Sequence, residues 1–130
     1  MSKGARAEEF RRRLIALDVD GTIITHAGHL ADPVRDAIDG CVRDGHHVVI
    51  ATGRSVVATM PILARLGITR GYAVCSNGAV TLRIDPSRRE GYRILEKVTF
   101  DPGPALSLLR GELPEALVAV EDLGRGFLVS

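Results

Sequence analysis

Tryptophan is missing from this chain, and only 4% of its residues are aromatic. That argues against the aromatic platforms on which single-stranded nucleic acids stack. Cysteine is scarce too. Cys41 and Cys75 are too few and too isolated for a disulfide framework or a zinc site, and they read as reduced core cysteines of a cytoplasmic protein. The formal net charge is +1, so no strong field points to nucleic acid or an anionic membrane as partner. No stretch approaches the ~20 consecutive apolar residues of a membrane span. The opening "MSKGARAEEFRRR" lacks the apolar region of a signal peptide. Its one basic cluster, Arg11 to Arg13, follows Glu8 and Glu9, and residues 1–13 read as a solvated lead-in.

What remains is 130 residues, 45% hydrophobic, enough for one ordinary domain with a real core. Three short apolar runs each stop at a polar or glycine-rich cluster: "LIAL" before Asp18, "VVIA" before Thr52 and "YAVC" before Ser76. None alternates cleanly, which predicts strands buried on both faces of a parallel sheet. Between the first two runs, Asp32 fits a helix N-cap and Pro33 the first helical position. Val34, Ile38, Cys41 and Val42 share a face, and Gly45 ends the helix. Between the second and third, Ser55 fits a cap, Gly67 a stop and Pro61 a kink. The β-α-β-α-β order predicts an α/β fold with a Rossmann-like, doubly wound parallel sheet. In such sheets ligands bind outside the carboxyl ends of the strands, and Asp18, Thr52 and Ser76 all fall there.

From Gly78 the character changes. "AVTLRI" and "YRILEKVTF" read as antiparallel strands around the polar turn "DPSRREG". A helix in "GPALSLLRGEL" and strand-like "ALVAVED" and "GFLVS" follow. Residues 14–79 are therefore assigned to the core unit and 80–130 to the start of a second, α+β unit.

The chemistry concentrates at Asp18 and Asp20. Residues two apart in an extended segment point the same way, so both carboxylates can face one pocket, and Gly21 permits a sharp exit. Two carboxylates and a phosphate share a pocket only with a cation, and Mg²⁺ with its oxygen preference suits them. One carboxylate is then free to attack phosphorus while the other, protonated, serves the leaving oxygen. "ATGRS" strengthens this reading. Thr52 offers a hydroxyl, Gly53 lets backbone amides approach an oxyanion, Arg54 can reach an anionic group, and Ser55 opens a helix whose N-terminus favours negative charge. Asn77-Gly78 is a hairpin signal as much as a substrate-facing loop, so Asn77 is a weak contact only. His26 and His29 lack a third ligand and read as solvated loop; His46 and His47 fall on the opposite rim and read as structural.

"LDVDGTI" resembles the first motif of the haloacid dehalogenase-like (HAD) superfamily, and "IATGRS" resembles the second. "CSNGA" is similar to a step found in its Cof-type, sugar-phosphatase-like branch. The resemblance covers residues 14 to about 84. It implies Asp18 as the nucleophile that becomes an aspartyl-phosphate, Asp20 as general acid then base, and Thr52 as a hydrogen-bond donor to the phosphoryl group. Gly21, Gly53, Arg54 and Asn77 would lie against substrate. It also implies Mg²⁺ on the Asp18 carboxylate and the Asp20 carbonyl, a small phosphorylated metabolite as substrate, and an α/β cap after Asn77-Gly78. A phosphomutase of the same family, or a non-catalytic phosphate-binding or interaction fragment, is the alternative. A receiver-like phosphoacceptor lacks the later-strand lysine it would need. The family's lysine and second acidic pair normally lie beyond the cap. Here the only lysines are Lys3 and Lys97, and Glu121-Asp122 falls in the cap-like part. The resemblance thus implies that roughly half of an enzyme is missing. The chain alone is expected to be inactive and to self-associate through exposed strand edges.

Overall fold

The computed structural model describes residues 11–129; of the lead-in expected over residues 1–13, residues 1–10 lie outside them and Arg11 to Arg13 are exposed. Five strands form one sheet in the spatial order β1-β2-β3-β4-β5. They are β1 (Leu14–Leu17), β2 (His47–Ala51), β3 (Gly71–Cys75), β4 (Val80–Ile84) and β5 (Tyr92–Lys97). Helix α1 (Asp32–Arg43) joins β1 to β2, and α2 (Val56–Arg65) joins β2 to β3. β1, β2 and β3 pair in parallel, whereas β4 and β5 join antiparallel. The fold is α/β, as the element order predicts, with a sheet that becomes mixed beyond β3. The change of character at Gly78 is therefore a switch of strand direction, since β4 continues the sheet through Cys75↔Val80 to Gly71↔Ile84.

Burial on both faces, expected for all three runs, holds for β2, where Val48, Val49 and Ile50 are buried in succession. β1 instead alternates exposed and half-buried, and Leu14 is 68% exposed. Among the described residues β1 is an edge paired only with β2, so one flank has no neighbour to cover it. In β4, Val80, Leu82 and Ile84 face the core with period two, while Arg83 points out. Helix α2 supplies Val56, Ile62 and Leu63 to the same core. Burying each fully contributes about 1.5–3 kcal/mol.

The helix ends correct one detail. The cap residue of α1 is Ala31, without a side-chain cap, and Asp32 stands inside the first turn beside Pro33. There its charge still suits the positive helix end. Ser55 does cap α2, its Oγ accepting from the Ala58 amide at 3.3 Å. Pro61 sits inside α2. Of the proposed inner face of α1, Ile38 is buried, Val34 and Cys41 pack against the core, and Val42 is left 45% exposed.

Beyond β5 come α3 (Gly103–Glu112) and a separate hairpin of β6 (Ala119–Asp122) and β7 (Gly126–Val129). The hairpin turn rests on the sheet. Leu123 packs against the core, and a Cβ on Gly124 would stand 2.9 Å from the Tyr92 hydroxyl.

Candidate active site

After β1 the chain turns back at once. The Val19 carbonyl accepts the amides of Thr22, Ile23 and Ile24 at 3.0–3.3 Å. Val19, Ile23 and Ile24 are buried, so Asp18 and Asp20, on either side of Val19, are turned out to the rim. Both carboxylates are exposed, so neither meets the full desolvation cost that their sequence neighbours suggest. Gly21 makes the turn at φ +75°, a backbone that glycine adopts without strain.

The loops after β1, β2 and β3 meet around a hollow of about 320 Å³ lined by Asp18, Thr52, Gly53, Asn77 and Gly78, among others. One Asp18 carboxylate oxygen accepts from the Thr22 hydroxyl at 3.2 Å. Buried Thr52 accepts the Arg54 amide on its hydroxyl oxygen at 3.1 Å, which leaves the hydroxyl proton for an incoming acceptor. Asp20 and Gly21 do not line this hollow. Arg54 grips the Asp20 carboxylate with both arms of its guanidinium, Nε at 2.8 Å and Nη2 at 2.6 Å. That bidentate hydrogen bonding holds the Asp20 carboxyl below its ordinary range and pushes the guanidinium up. One of the two acids thus has a dedicated cation.

The turn after β3 is strained. Ser76 and Asn77 sit at φ +51° and +54°, followed by Gly78 at +96°. A non-glycine residue held there costs of order 1–3 kcal/mol, maintained by its surroundings. Those surroundings are the second loop: the Ser76 amide donates to the Arg54 carbonyl at 2.8 Å and the Asn77 amide to the Thr52 carbonyl at 3.2 Å. Asn77-Gly78 therefore serves the β3–β4 hairpin and the hollow together. Gly53 is needed for space, since a Cβ there would meet Asn77 Oδ1 at 2.9 Å.

One rim residue escaped sequence reasoning. A Glu121 carboxylate oxygen accepts the Ser76 hydroxyl at 2.5 Å, and the other accepts the Val56 amide at 3.4 Å. No local signal marks it, because its partners lie 45 and 65 residues away. Thr22 is a second such residue; its place inside "DGT", four residues after Asp18, is the signal that could have found it. Of the remaining candidates, His46 accepts the Arg13 amide on Nδ1 at 3.3 Å, a structural use on the far rim. Cys75 is buried, and desolvation pushes its thiol up. Among the described residues no cluster of three or more His, Cys, Asp or Glu side chains is arranged for a metal.

A family model described as haloacid dehalogenase-like hydrolase matches residues 15–105. YkrA of Bacillus subtilis is 45% identical over 56 residues, 43% of this chain and 22% of that protein. Phosphatase YwpJ of the same organism is 37% identical over 68 residues, 52% of this chain and 24% of its own. A solved structure of BT1666 from Bacteroides thetaiotaomicron, described among phosphatases of the HAD superfamily, superposes with a TM-score of 0.68. It is 25% identical and matches 98% of this chain and 45% of that one. The chain spans about a quarter of the length of the curated relatives it matches.

Proposed function

The chain belongs to the haloacid dehalogenase-like hydrolases, and from that premise we propose that it carries the nucleophile and acid–base residues of a phosphatase acting on a small phosphorylated metabolite, such as a sugar phosphate. The observation that carries the reading is the meeting of Asp18 and Thr52 in one hollow at the carboxyl ends of adjacent parallel strands.

In this reading an Asp18 carboxylate oxygen attacks phosphorus; the new O–P bond forms as the bond to the substrate's leaving oxygen breaks. The Thr52 hydroxyl donates to a phosphoryl oxygen as charge builds there. Asp20 supplies the proton the leaving oxygen needs, then removes one from the water that hydrolyses the aspartyl-phosphate. Arg54 sets the order. While paired it keeps Asp20 ionised; a phosphate arriving at the rim offers the guanidinium a second anion, and the freed carboxylate takes a proton from solvent before it serves the leaving oxygen.

The donor set at this rim suits Mg²⁺, which needs only one or two carboxylates and otherwise takes water and phosphate oxygens. Asp18 and the Asp20 segment would hold it, and when bound it would neutralise the charge that phosphate brings beside two acids.

In a full-length parent protein, Asp18→Asn is expected to abolish Mg²⁺-dependent hydrolysis of p-nitrophenyl phosphate with folding preserved. Asp20→Asn should be slower by roughly 10²–10⁴, the worth of a lost general acid or base. Turnover in Asp18→Asn within about tenfold of the parent would sink the covalent mechanism. Full turnover in excess chelator would remove the metal from it.

A further inference from the structure

Glu121 belongs to the β6–β7 hairpin, far along the chain from the motif loops, yet both of its oxygens are committed to the rim. On one side it meets a helix end. The first amides of α2 have no partner within the helix; Ser55 takes that of Ala58, and Glu121 takes that of Val56. On the other side it meets the strained turn. Its contact to Ser76, at 2.5 Å, lies in the short range of a hydroxyl bonded to a carboxylate. Ser76 in turn donates its amide to the Arg54 carbonyl, and the Arg54 guanidinium holds Asp20. Hydrogen bonds joined through the covalent frames of Ser76 and Arg54 therefore connect the hairpin to the acid–base carboxylate.

We infer that Glu121 is a positioning residue: it latches the β6–β7 hairpin to the rim and fixes the Ser76–Gly78 turn that walls the Asp18 hollow. The word positioning rests on the proposed function; the latch itself does not. Without Glu121 the left-handed Ser76 loses its side-chain anchor and the start of α2 loses an acceptor. The wall carrying Asn77 then opens more often, while the far end of the sheet is untouched.

Amide hydrogen exchange on this chain tests the latch without any substrate. Glu121→Ala should raise exchange at Val56, Ser76 and Asn77 by roughly tenfold or more, the worth of a hydrogen bond to a charged group. The Ile68 amide, bonded to the Leu63 carbonyl at 3.0 Å in the α2–β3 connection, should keep its rate. Glu121→Gln retains an acceptor oxygen and should recover part of the protection. Ser76→Ala should speed exchange at Asn77 and leave Val56 protected, because the carboxylate still reaches the helix. Rates in Glu121→Ala within about twofold of the parent at all three amides would overturn the latch. So would an equal rise at Ile68, which would make Glu121 a global stabiliser. A full-length parent that shows the expected pattern yet hydrolyses no phosphomonoester would count against the proposed function and leave the latch standing.

Discussion

Residues 14–84 and residues 85–129 are built differently. Every buried side chain among the described residues lies between Val19 and Ile84, whereas none from Asp85 to Val129 is buried. The first region closes a core around Ile50, Val56, Leu63 and Leu82, each at most 1% exposed. The second leaves Phe100 80% and Leu117 92% exposed, and it holds to the first through the β4–β5 ladder, Leu123 and Glu121. The rim residues proposed to carry the chemistry are anchored in the region that owns the core. The lesson is one of division: precision is kept where burial is deep, and the adjoining lobe is attached by a few specific contacts that open at lower cost.

Three substitutions probe that contrast. Leu63→Ala should cost the most, about 2–5 kcal/mol in urea unfolding, since it leaves a cavity in the deepest part of the core. A loss as small as that of a surface change would mean that the core is looser than its burial indicates. Gly53→Ala sits between the extremes. Its new Cβ collides with the end of a side chain, Asn77 Oδ1, and not with backbone, so about 1 kcal/mol of stability should be lost. Asn77 should move from the hollow, visible as a change in its side-chain amide resonances; an unmoved Asn77 would break the account of why glycine stands there. Leu117→Ala should fall within about 0.5 kcal/mol of the parent. If it cost as much as Leu63→Ala, the two regions would share one core after all.

Much of this was legible in the sequence because the signals are local. The three apolar runs, the Ser55 cap and the stops at Gly45 and Gly67 are read within a few residues, and the structure has them. Asp18, Thr52 and Asn77 reach one rim because parallel strands carry their ends to the same side. What stayed hidden was set at a distance. The exposure of β1 depends on what lies beside it, not on "LIAL" itself. The ion pair that occupies Asp20 depends on Arg54, 34 residues on. Continuation of the sheet through β4 depends on pairing that a change in composition does not report. Glu121 is the extreme case, a surface-type residue whose partners come from the start of α2 and the turn after β3.

The strand order β1-β2-β3-β4-β5 is also the order in which a ribosome delivers the strands. Each new strand therefore docks on the one made just before it. The loop to be closed is one helix long for the parallel pairs and a short turn for β3–β4. Closure entropy is thus met in small, successive steps, and none of the pairings within this sheet waits for a strand from the distant end of the described chain. A sheet laid down in this sequence can assemble as the chain emerges, and the Asp18 hollow is complete once the turn after β3 has formed.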